Sequence, residues 1–339
     1  MGTETIRIGG ADGRAANDLF LTELEGLRQT LEARIDSLLD ESGSDADILA
    51  MAMRAAALGA GKRMRPLLLM LVAHDLGCNR PALVDVACAV EMVHAASLIL
   101  DDLPCMDDAT LRRGKPAVHV QFGEDVAILA SVALLSRAFG ILATAPDLPP
   151  TVRTRLVATL SHTVGAQGLV RGQYLDLRGG AASPEAIAAT NDLKTGVLLG
   201  VTVDMAAILA EADDGVAHSL RAFALAAGQA FQLRDDFLDG PGNDSAVTGK
   251  DTGLDIGKAT IVATLGADEA RRRIKTCLLD AERHLAAAVG ARQRTRRFLR
   301  GLFEGGRNAT GAPLPLRAAD ARAFDGVMPA SAPVGVRIN

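Results

Sequence analysis

The sequence predicts an all-α protein, and three observations support this prediction. Trp is absent and Tyr occurs once in 339 residues, so aromatic residues that favour strands are scarce. Ala and Leu, both strong helix formers, recur along the whole chain. Alternating runs of β-branched residues, which mark half-buried strands, are few. We therefore expect the core to be built from helices.

The first predicted helix spans residues 19–40, where Leu and Ile recur at spacings of three and four and glutamates occupy the outer face. Clusters of Pro, Gly, Asn and Asp, which break helices, separate the later predicted helices. Those helices are expected at 47–58, 64–76, 81–103, 122–144, 150–170, 184–190, 192–211, 216–239, 259–264 and 267–289.

The length permits two domains or one large helical domain, but none of the breaks resembles an interdomain linker. Residues 1–18 lack an apolar stretch and are predicted to be a flexible N-terminus. From residue 305 to residue 339 the helical periodicity gives way to Ala, Pro, Gly and Arg, which predicts a loosely ordered tail. One domain over residues 19–304 is expected.

Charge and cysteine usage exclude several classes of protein. The 36 basic and 41 acidic residues give a net charge of −5 with no basic block, which argues against a nucleic-acid partner. No uncharged apolar run reaches the roughly 18 residues of a membrane span. The cysteines show no CxxC pairing and are interpreted as reduced core thiols of a cytoplasmic protein. They are Cys78, Cys88, Cys105 and Cys277.

A cluster of carboxylates ends one apolar helix. Its members are Asp101, Asp102, Asp107 and Asp108. The helix dipole disfavours them and they repel one another, so a divalent cation would offset their cost. Asp101 and Asp107 lie about 240° apart on an ideal helix, so they can share a metal only if the helix loosens between them. Pro104 supplies that break.

A second acidic segment closes the predicted helix 216–239. Asp235 and Asp239 share one helical face, with Asp236 beside them. Either segment alone could be a solvated helix end, because Asp often marks helix boundaries. Two such segments favour a shared ligand. Magnesium completes its coordination with water and phosphate oxygens, so the pattern indicates a polyphosphate substrate.

Compact basic groups alternate with the acidic segments, as a diphosphate site requires. Lys62 and Arg65 lie at a helix entrance, where backbone N–H groups can also face an anion. Each group is weak alone, since Gly-Lys pairs often mark helix boundaries. Their alternation with the acidic segments is the informative feature. The further candidates are Arg112, Arg113, Lys194 with Thr195, Lys250 and Lys258.

In this order the segments resemble the trans-isoprenyl diphosphate synthases of the polyprenyl synthetase family, over roughly residues 20–300. The resemblance implies an isoprenoid synthase fold, an antiparallel helix bundle around a deep central cavity, usually as a homodimer. It also implies magnesium-dependent, head-to-tail condensation of isopentenyl diphosphate with an allylic diphosphate (dimethylallyl, geranyl or farnesyl). The matching segments are Gly61 to Pro66, Asp101 to Asp107 in a DDxxxxD form, Leu111 to Pro116, Gly172 to Asp176, Lys194-Thr195, Phe231 to Asp239, and Gly249 to Thr260.

The resemblance also implies a role for each motif. About three Mg²⁺ ions would bind the allylic diphosphate through the carboxylates Asp101, Asp102, Asp107, Asp235, Asp236 and Asp239. Contacts to the allylic substrate are implied for Arg112, Lys194, Thr195, Gln232 and Lys250. Isopentenyl diphosphate is implied to bind Lys62, Arg65, His94 and Arg113, with Lys258 as a further substrate-binding residue. From its position alone, His94 could equally be a core histidine.

Family resemblance also places the control of product length one turn before the first Asp. Ala96 and Ser97 occupy those positions and are small, as in the geranylgeranyl diphosphate synthases of carotenoid pathways, so a C20 product is expected. Alternatively they only allow close packing, and Met92 or Val93 sets the floor. A C15 farnesyl synthase is the second candidate, and an inactive regulatory subunit is the non-enzymatic one. A terpene cyclase would not need the second diphosphate pocket.

Overall fold

A computed structural model describes residues 11–40, 47–178, 189–190, 192–238 and 266–304. These residues are almost wholly helical, which confirms the all-α prediction. A five-residue π-helix, Asp192–Gly196, directly precedes the α-helix that begins at Val197. The α-helices are α1 (Ala11–Asp40), α2 (Ile48–Ala57), α3 (Met64–Asp75), α4 (Ala82–Asp101), α5 (Val118–Phe122), α6 (Glu124–Thr144), α7 (Pro150–Val164), α8 (Leu169–Arg178), α9 (Val197–Leu209), α10 (Asp214–Leu238), α11 (Ala267–Val289) and α12 (Arg294–Glu304).

Helix α4 lies at the centre of the bundle. It packs against α1, α2, α3, α6 and α9, and most of its side chains are buried. On the α6 side, the buried Ser131 hydroxyl donates to the Ala96 carbonyl at 3.0 Å. An apolar helix without a polar face is the kind that a core buries on all sides.

Helix α11 packs along α10, the helix that carries the second acidic segment. Its buried side chains recur at spacings of three and four, so they form one face, and that face packs along α10. The opposite face carries charged pairs such as Arg271 with Asp268. The buried face consists of Ala270, Ile274, Leu278, Ala281, Leu285 and Val289. Helix α10 thereby carries the acidic segment at its C-terminal end.

A short β-hairpin, which the sequence analysis did not predict, follows the first acidic segment. Strands β1 (Leu111–Arg112) and β2 (Lys115–Pro116) pair antiparallel, with Arg112 opposite Lys115. Both turn residues, Arg113 and Gly114, have positive φ angles of 56° and 76°. That is the geometry of a two-residue type I′ turn, whose twist matches that of the paired strands.

Several predicted boundaries were wrong. Helix α1 begins at Ala11 rather than residue 19, so the predicted flexible N-terminus overlaps it. The helix predicted over 150–170 is split into α7 and α8 by a tight turn that Gly168 permits, since a Cβ there would collide with the Thr163 carbonyl group. Helix α12 was missed. Most of predicted helix 184–190, all of 259–264 and the predicted tail at 305–339 lie outside the described residues.

Two helices of the described residues, α4 and α6, have the length and apolar character of a membrane span. This is weak evidence, because buried helices of soluble proteins share those properties, and α4 is such a core helix. Within the apolar window, 67% of α4 is buried but only 39% of α6. Helix α6 therefore exposes an apolar face.

The cysteines are unpaired thiols, as predicted, but they are not all core residues. Cys78 and Cys88 are buried, whereas Cys105 is exposed in the loop after α4. Pro104, which cannot continue a helix, directly precedes Cys105 in that loop.

Candidate active site

The basic loop, residues 59–63, joins α2 to α3 and is held by a buried ion pair. Arg63 donates to Glu91 of α4 at 2.8 Å, to Glu32 of α1 at 3.2 Å and to the Gly59 carbonyl at 2.7 Å. Its backbone has a left-handed φ of 48°. This anchor was not predicted, although a lone Glu inside an apolar helix indicates a buried partner, since buried charges are paired.

Two cations and an imidazole of the implied isopentenyl diphosphate set converge beyond this anchor. Arg65 Nη1 lies 3.4 Å from His94 Nε2. Burial, followed by the charges of Arg65 and Arg113, holds the His94 pKa well below its usual value. The ring is therefore neutral at pH 7, with Nε2 facing the Arg65 donor. His94 Nδ1 and Arg65 Nε are buried without hydrogen-bond partners.

Arg113 lies directly over the glycine of the basic loop. A Cβ built on Gly61 would meet the Arg113 guanidinium, with Cζ only 2.9 Å away. A side chain at position 61 would therefore make the Arg113 guanidinium move. Lys62, next to it, has an exposed side chain. The loop and the β-hairpin thus bring Lys62, Arg65, His94 and Arg113 to one region of the fold.

The chain folds back after α4 and returns Asp107 to Asp101. Helix α4 ends at Asp101, and the Asp107 N–H donates to the Asp101 carbonyl at 2.9 Å. The Ala109 N–H donates to the Asp102 carbonyl at 3.2 Å. Asp108 turns the chain with a φ of 51°. This is the loosened helix end that a metal site shared by Asp101 and Asp107 requires.

Asp102 is buried and bound to Arg112 of the hairpin. Its Oδ1 and Oδ2 accept from Arg112 Nε at 2.9 and 3.1 Å, and Oδ1 also accepts from Nη2. Burial raises the pKa of Asp102 against the opposing effect of Arg112. Burial lowers the Arg112 pKa, but Asp102, Asp101 and Asp107 together raise it overall. One guanidinium thus offsets charge from three carboxylates.

The second acidic segment faces the same region from α10. Asp235 has a half-exposed side chain, and its charge acts on Arg65, raising a pKa that burial lowers. Gln232 is half-buried on the same helical face, three residues earlier. Lys194 and Thr195 lie in the π-helix, an uncommon form that is frequent at functional sites.

Some predicted site residues lie beyond what the structure describes. Asp236 is in α10, but its side chain, like those of Lys194 and Thr195, is outside the described part. Asp239, Lys250 and Lys258 also lie outside the described residues. The implied roles of these six residues stay predictions.

The carboxylates fit magnesium by their chemistry. Among the described residues, no group of three His, Cys, Asp or Glu side chains is close enough to form a protein-only metal cage. Magnesium, however, usually takes one or two carboxylates and completes its coordination with water and substrate phosphate. Asp101, Asp107 and Asp235 supply such oxygen donors.

The neutral state of His94 predicts a pH dependence of stability. The His94 pKa is lower in the folded protein than in the unfolded chain, so as the pH falls the unfolded chain binds a proton at His94 first. The free energy of unfolding that His94 contributes above pH 6.5 is therefore lost as the pH falls below that value. We expect a loss of about 1.4 kcal/mol from this group at pH 5.5 relative to pH 7.5. Urea unfolding at both pH values measures it.

The exposed His218 on α10 provides the control. His94→Asn is expected to remove this part of the pH dependence, and His218→Asn is expected to retain it. Equal pH dependences of the wild-type protein and His94→Asn would contradict a neutral His94 in the folded state.

Comparison with known proteins gives a consistent set of matches. The family model described as Polyprenyl synthetase matches residues 46–290. A geranylgeranyl diphosphate synthase from Pantoea ananas is 48% identical over 284 residues, covering 83% of this chain and 92% of that protein. A farnesyl diphosphate synthase from Geobacillus stearothermophilus is 38% identical over 267 residues, covering 77% and 89%. A geranyltransferase from Helicobacter pylori complexed with magnesium and isoprenyl diphosphate has a TM-score of 0.72 at 28% identity, covering 84% of this chain and 96% of that one.

Proposed function

Because this chain belongs to the polyprenyl synthetase family, we propose that it is a geranylgeranyl diphosphate synthase. It would join isopentenyl diphosphate to an allylic diphosphate, either dimethylallyl, geranyl or farnesyl, and release a C20 diphosphate. One observation carries the proposal: both acidic segments lie beside the half-buried basic group, since the charges of Asp101 and Asp107 act on Arg112 and that of Asp235 acts on Arg65. The greater identity to a geranylgeranyl than to a farnesyl diphosphate synthase supports C20 over C15.

The basic group suits the diphosphate that does not ionise. Arg65 and Arg113 are like charges whose pKa values burial lowers, so an anion between them offsets both their repulsion and their lost hydration. Neutral His94 adds no further positive charge there. These residues would hold isopentenyl diphosphate by its phosphates and leave its double bond free to react.

The acidic segments suit the diphosphate that leaves. When bound, Mg²⁺ would neutralise the charge that develops on the departing diphosphate. Asp101, Asp107 and Asp235 would orient the diphosphate, and Arg112, fixed by Asp102, would donate to it. The C–O bond of the allylic diphosphate breaks, a C–C bond forms to isopentenyl diphosphate, and one proton leaves. The released diphosphate is the proposed proton acceptor, since no side-chain base stands out.

Of the two residues predicted to control chain length, we propose that Ser97 has the larger effect. Ser97 is half-buried and lies four residues before Asp101, on the same face of α4. Ala96 is fully buried and bound through its carbonyl by Ser131 of α6. The exposed part of Ser97 supports a position beside the growing chain, whereas Ala96 packs between helices.

Ser97→Phe is expected to shift the main product from C20 to C15, because the ring would fill space that the growing chain uses. The dephosphorylated products, separated by gas chromatography and mass spectrometry, measure the change. Ser97→Ala is the control: it loses the bond to the His94 carbonyl but keeps the space, so C20 is expected. An unchanged C20 product from Ser97→Phe would move the floor to Met92 or Val93.

We further propose a cytoplasmic homodimer. The unpaired thiols support a reducing compartment. The apolar face of α5 and α6 supports the dimer, since contiguous exposed apolar surface commonly marks a protein interface. Its exposed residues are Val120, Ile128, Leu129 and Val132.

Incubation of the purified protein with isopentenyl diphosphate, farnesyl diphosphate and magnesium tests the proposed function. Geranylgeraniol after dephosphorylation is the expected product. Farnesol as the end product from dimethylallyl diphosphate, without elongation of farnesyl diphosphate, would favour the C15 synthase. No turnover from any primer would favour the inactive subunit.

A further inference from the structure

Arg234 occupies an unusual position directly before Asp235. The residue is only 8% exposed, and its guanidinium lies against two adjoining phenylalanine rings. Its Cζ is 4.8 Å from the ring centre of Phe231 on α10 and 5.3 Å from that of Phe303 on α12. The rings contact each other with centroids 4.8 Å apart. A buried cation thus lies against an aromatic pair where α10 meets α12.

The same guanidinium connects α12 to the second acidic segment. Nη1 donates to the Leu302 carbonyl at 2.6 Å, and Nη2 donates to Asp235 Oδ1 at 3.3 Å. Leu302 lies in the last turn of α12, where carbonyls lack intrahelical donors and a cation is favoured by the helix dipole. Arg234 therefore caps α12 with one nitrogen and holds the Asp235 carboxylate with another.

The other end of α12 is tied to the helix that carries Arg65. The fully buried Asp75, last residue of α3, accepts from the Thr295 N–H at 2.8 Å. Helix α12 is thereby held at its start by α3 and at its end by α10. It bridges the two helices that bring Arg65 and Asp235 to the site, although none of its described side chains is among the predicted ligands.

We propose that Arg234 is a positioning residue that couples the docking of α12 to the orientation of the Asp235 carboxylate, and so to the affinity for magnesium and diphosphate. An apolar side chain would join two helices without the desolvation of a buried cation. The second hydrogen bond of the guanidinium gives a reason for a cation here, because it reaches the half-exposed Asp235 carboxylate, whose charge also acts on Arg65. This inference rests on the proposed function.

Arg234→Met and Phe303→Leu test the coupling from its two sides. The readout is calorimetric binding of inorganic pyrophosphate over a range of Mg²⁺ concentrations, with Tm measured in parallel. Arg234→Met is expected to raise the half-saturating Mg²⁺ concentration about tenfold, the effect of losing one charge-assisted hydrogen bond. Phe303→Leu is expected to raise it about threefold, because Arg234 remains but loses one of its two ring contacts. Arg234→Lys, which keeps the charge, is expected to recover part of the affinity.

Phe298→Leu is the matched control. Phe298 lies on the same helix and is as buried as Phe303, at 5% against 4% exposed, but has no ring contact with Arg234 among the described residues. Both Phe variants are expected to lower Tm similarly, and only Phe303→Leu to change the Mg²⁺ dependence. Equal Mg²⁺ dependences of Phe298→Leu and Phe303→Leu would overturn the proposal. An unchanged half-saturating Mg²⁺ concentration in Arg234→Met would also overturn it.

Pyrophosphate binding keeps this inference separable from the proposed function. Suppose that the wild-type protein condenses prenyl substrates, but the Arg234 and Phe303 variants bind magnesium and pyrophosphate as the wild type does. That result would overturn the coupling and leave the proposed function intact. If instead the wild-type protein shows no turnover, but the variants show the expected shifts in Mg²⁺ dependence, the proposed reaction is overturned and the coupling is supported.

Discussion

Asp101→Asn is expected to lower kcat about 10²- to 10³-fold while the protein stays folded. The substitution keeps size and shape but removes the negative charge of a proposed magnesium ligand. Asp101 ends α4, where the dipole disfavours a carboxylate, and Asp107 folds back beside it. Removing one of these charges relieves repulsion, so Tm is expected to stay unchanged or rise. Turnover at saturating substrates and magnesium measures the effect.

Asp108→Asn is the matched control for this loss. Asp108 belongs to the same acidic cluster but is exposed, and its φ of 51° is one that Asn also adopts readily. Its substitution is expected to leave kcat within about twofold, the scale of a neutral surface change. Equal losses in the two variants would show that the cluster acts through its summed charge and would contradict a specific role for Asp101.

Arg63→Met is expected to destabilise the protein by about 3–5 kcal/mol. The Arg63 and Glu91 side chains are 1% and 3% exposed, so the substitution leaves a buried carboxylate without its closest cation. The same anchor holds the basic loop that contains Gly61 and Lys62, so the KM for isopentenyl diphosphate is expected to rise as well. Urea unfolding gives the free energy, and initial rates give the KM.

A second substitution separates the ion pair from other losses. Arg63→Met combined with Glu91→Leu removes both charges and is expected to be more stable than Arg63→Met alone, because no buried charge remains unpaired. As a comparison, Arg34→Met breaks a pair with Asp85 that is 38% and 18% exposed and is expected to cost at most about 1 kcal/mol. A double variant no more stable than Arg63→Met would contradict an ion-pair origin.

Sequence patterns predicted the features that depend on neighbouring residues. Helical periodicity identified α3, α4 and α6 to within a few residues, because a 3.6-residue repeat is a local property. The order of acidic and basic motifs led to the family. Predicted helix boundaries were wrong where a single close contact sets the end of a helix, as where Gly168 approaches the Thr163 carbonyl group. The hairpin was not predicted because strands of two residues are too short to show a periodic pattern.

The sequence by itself determined the helical class, the motifs that carry charge and the family to which the chain belongs. Only the tertiary structure decided which of those charges meet. Arg63 pairs with Glu91, 28 residues away, and Arg234 reaches Leu302, 68 residues away. Such pairs depend on burial, since the same groups in water would gain little from meeting. Folding removes the water around these groups and thereby strengthens their interactions. The tertiary structure thus determines which charges hold the fold together and which are available to the proposed ligands.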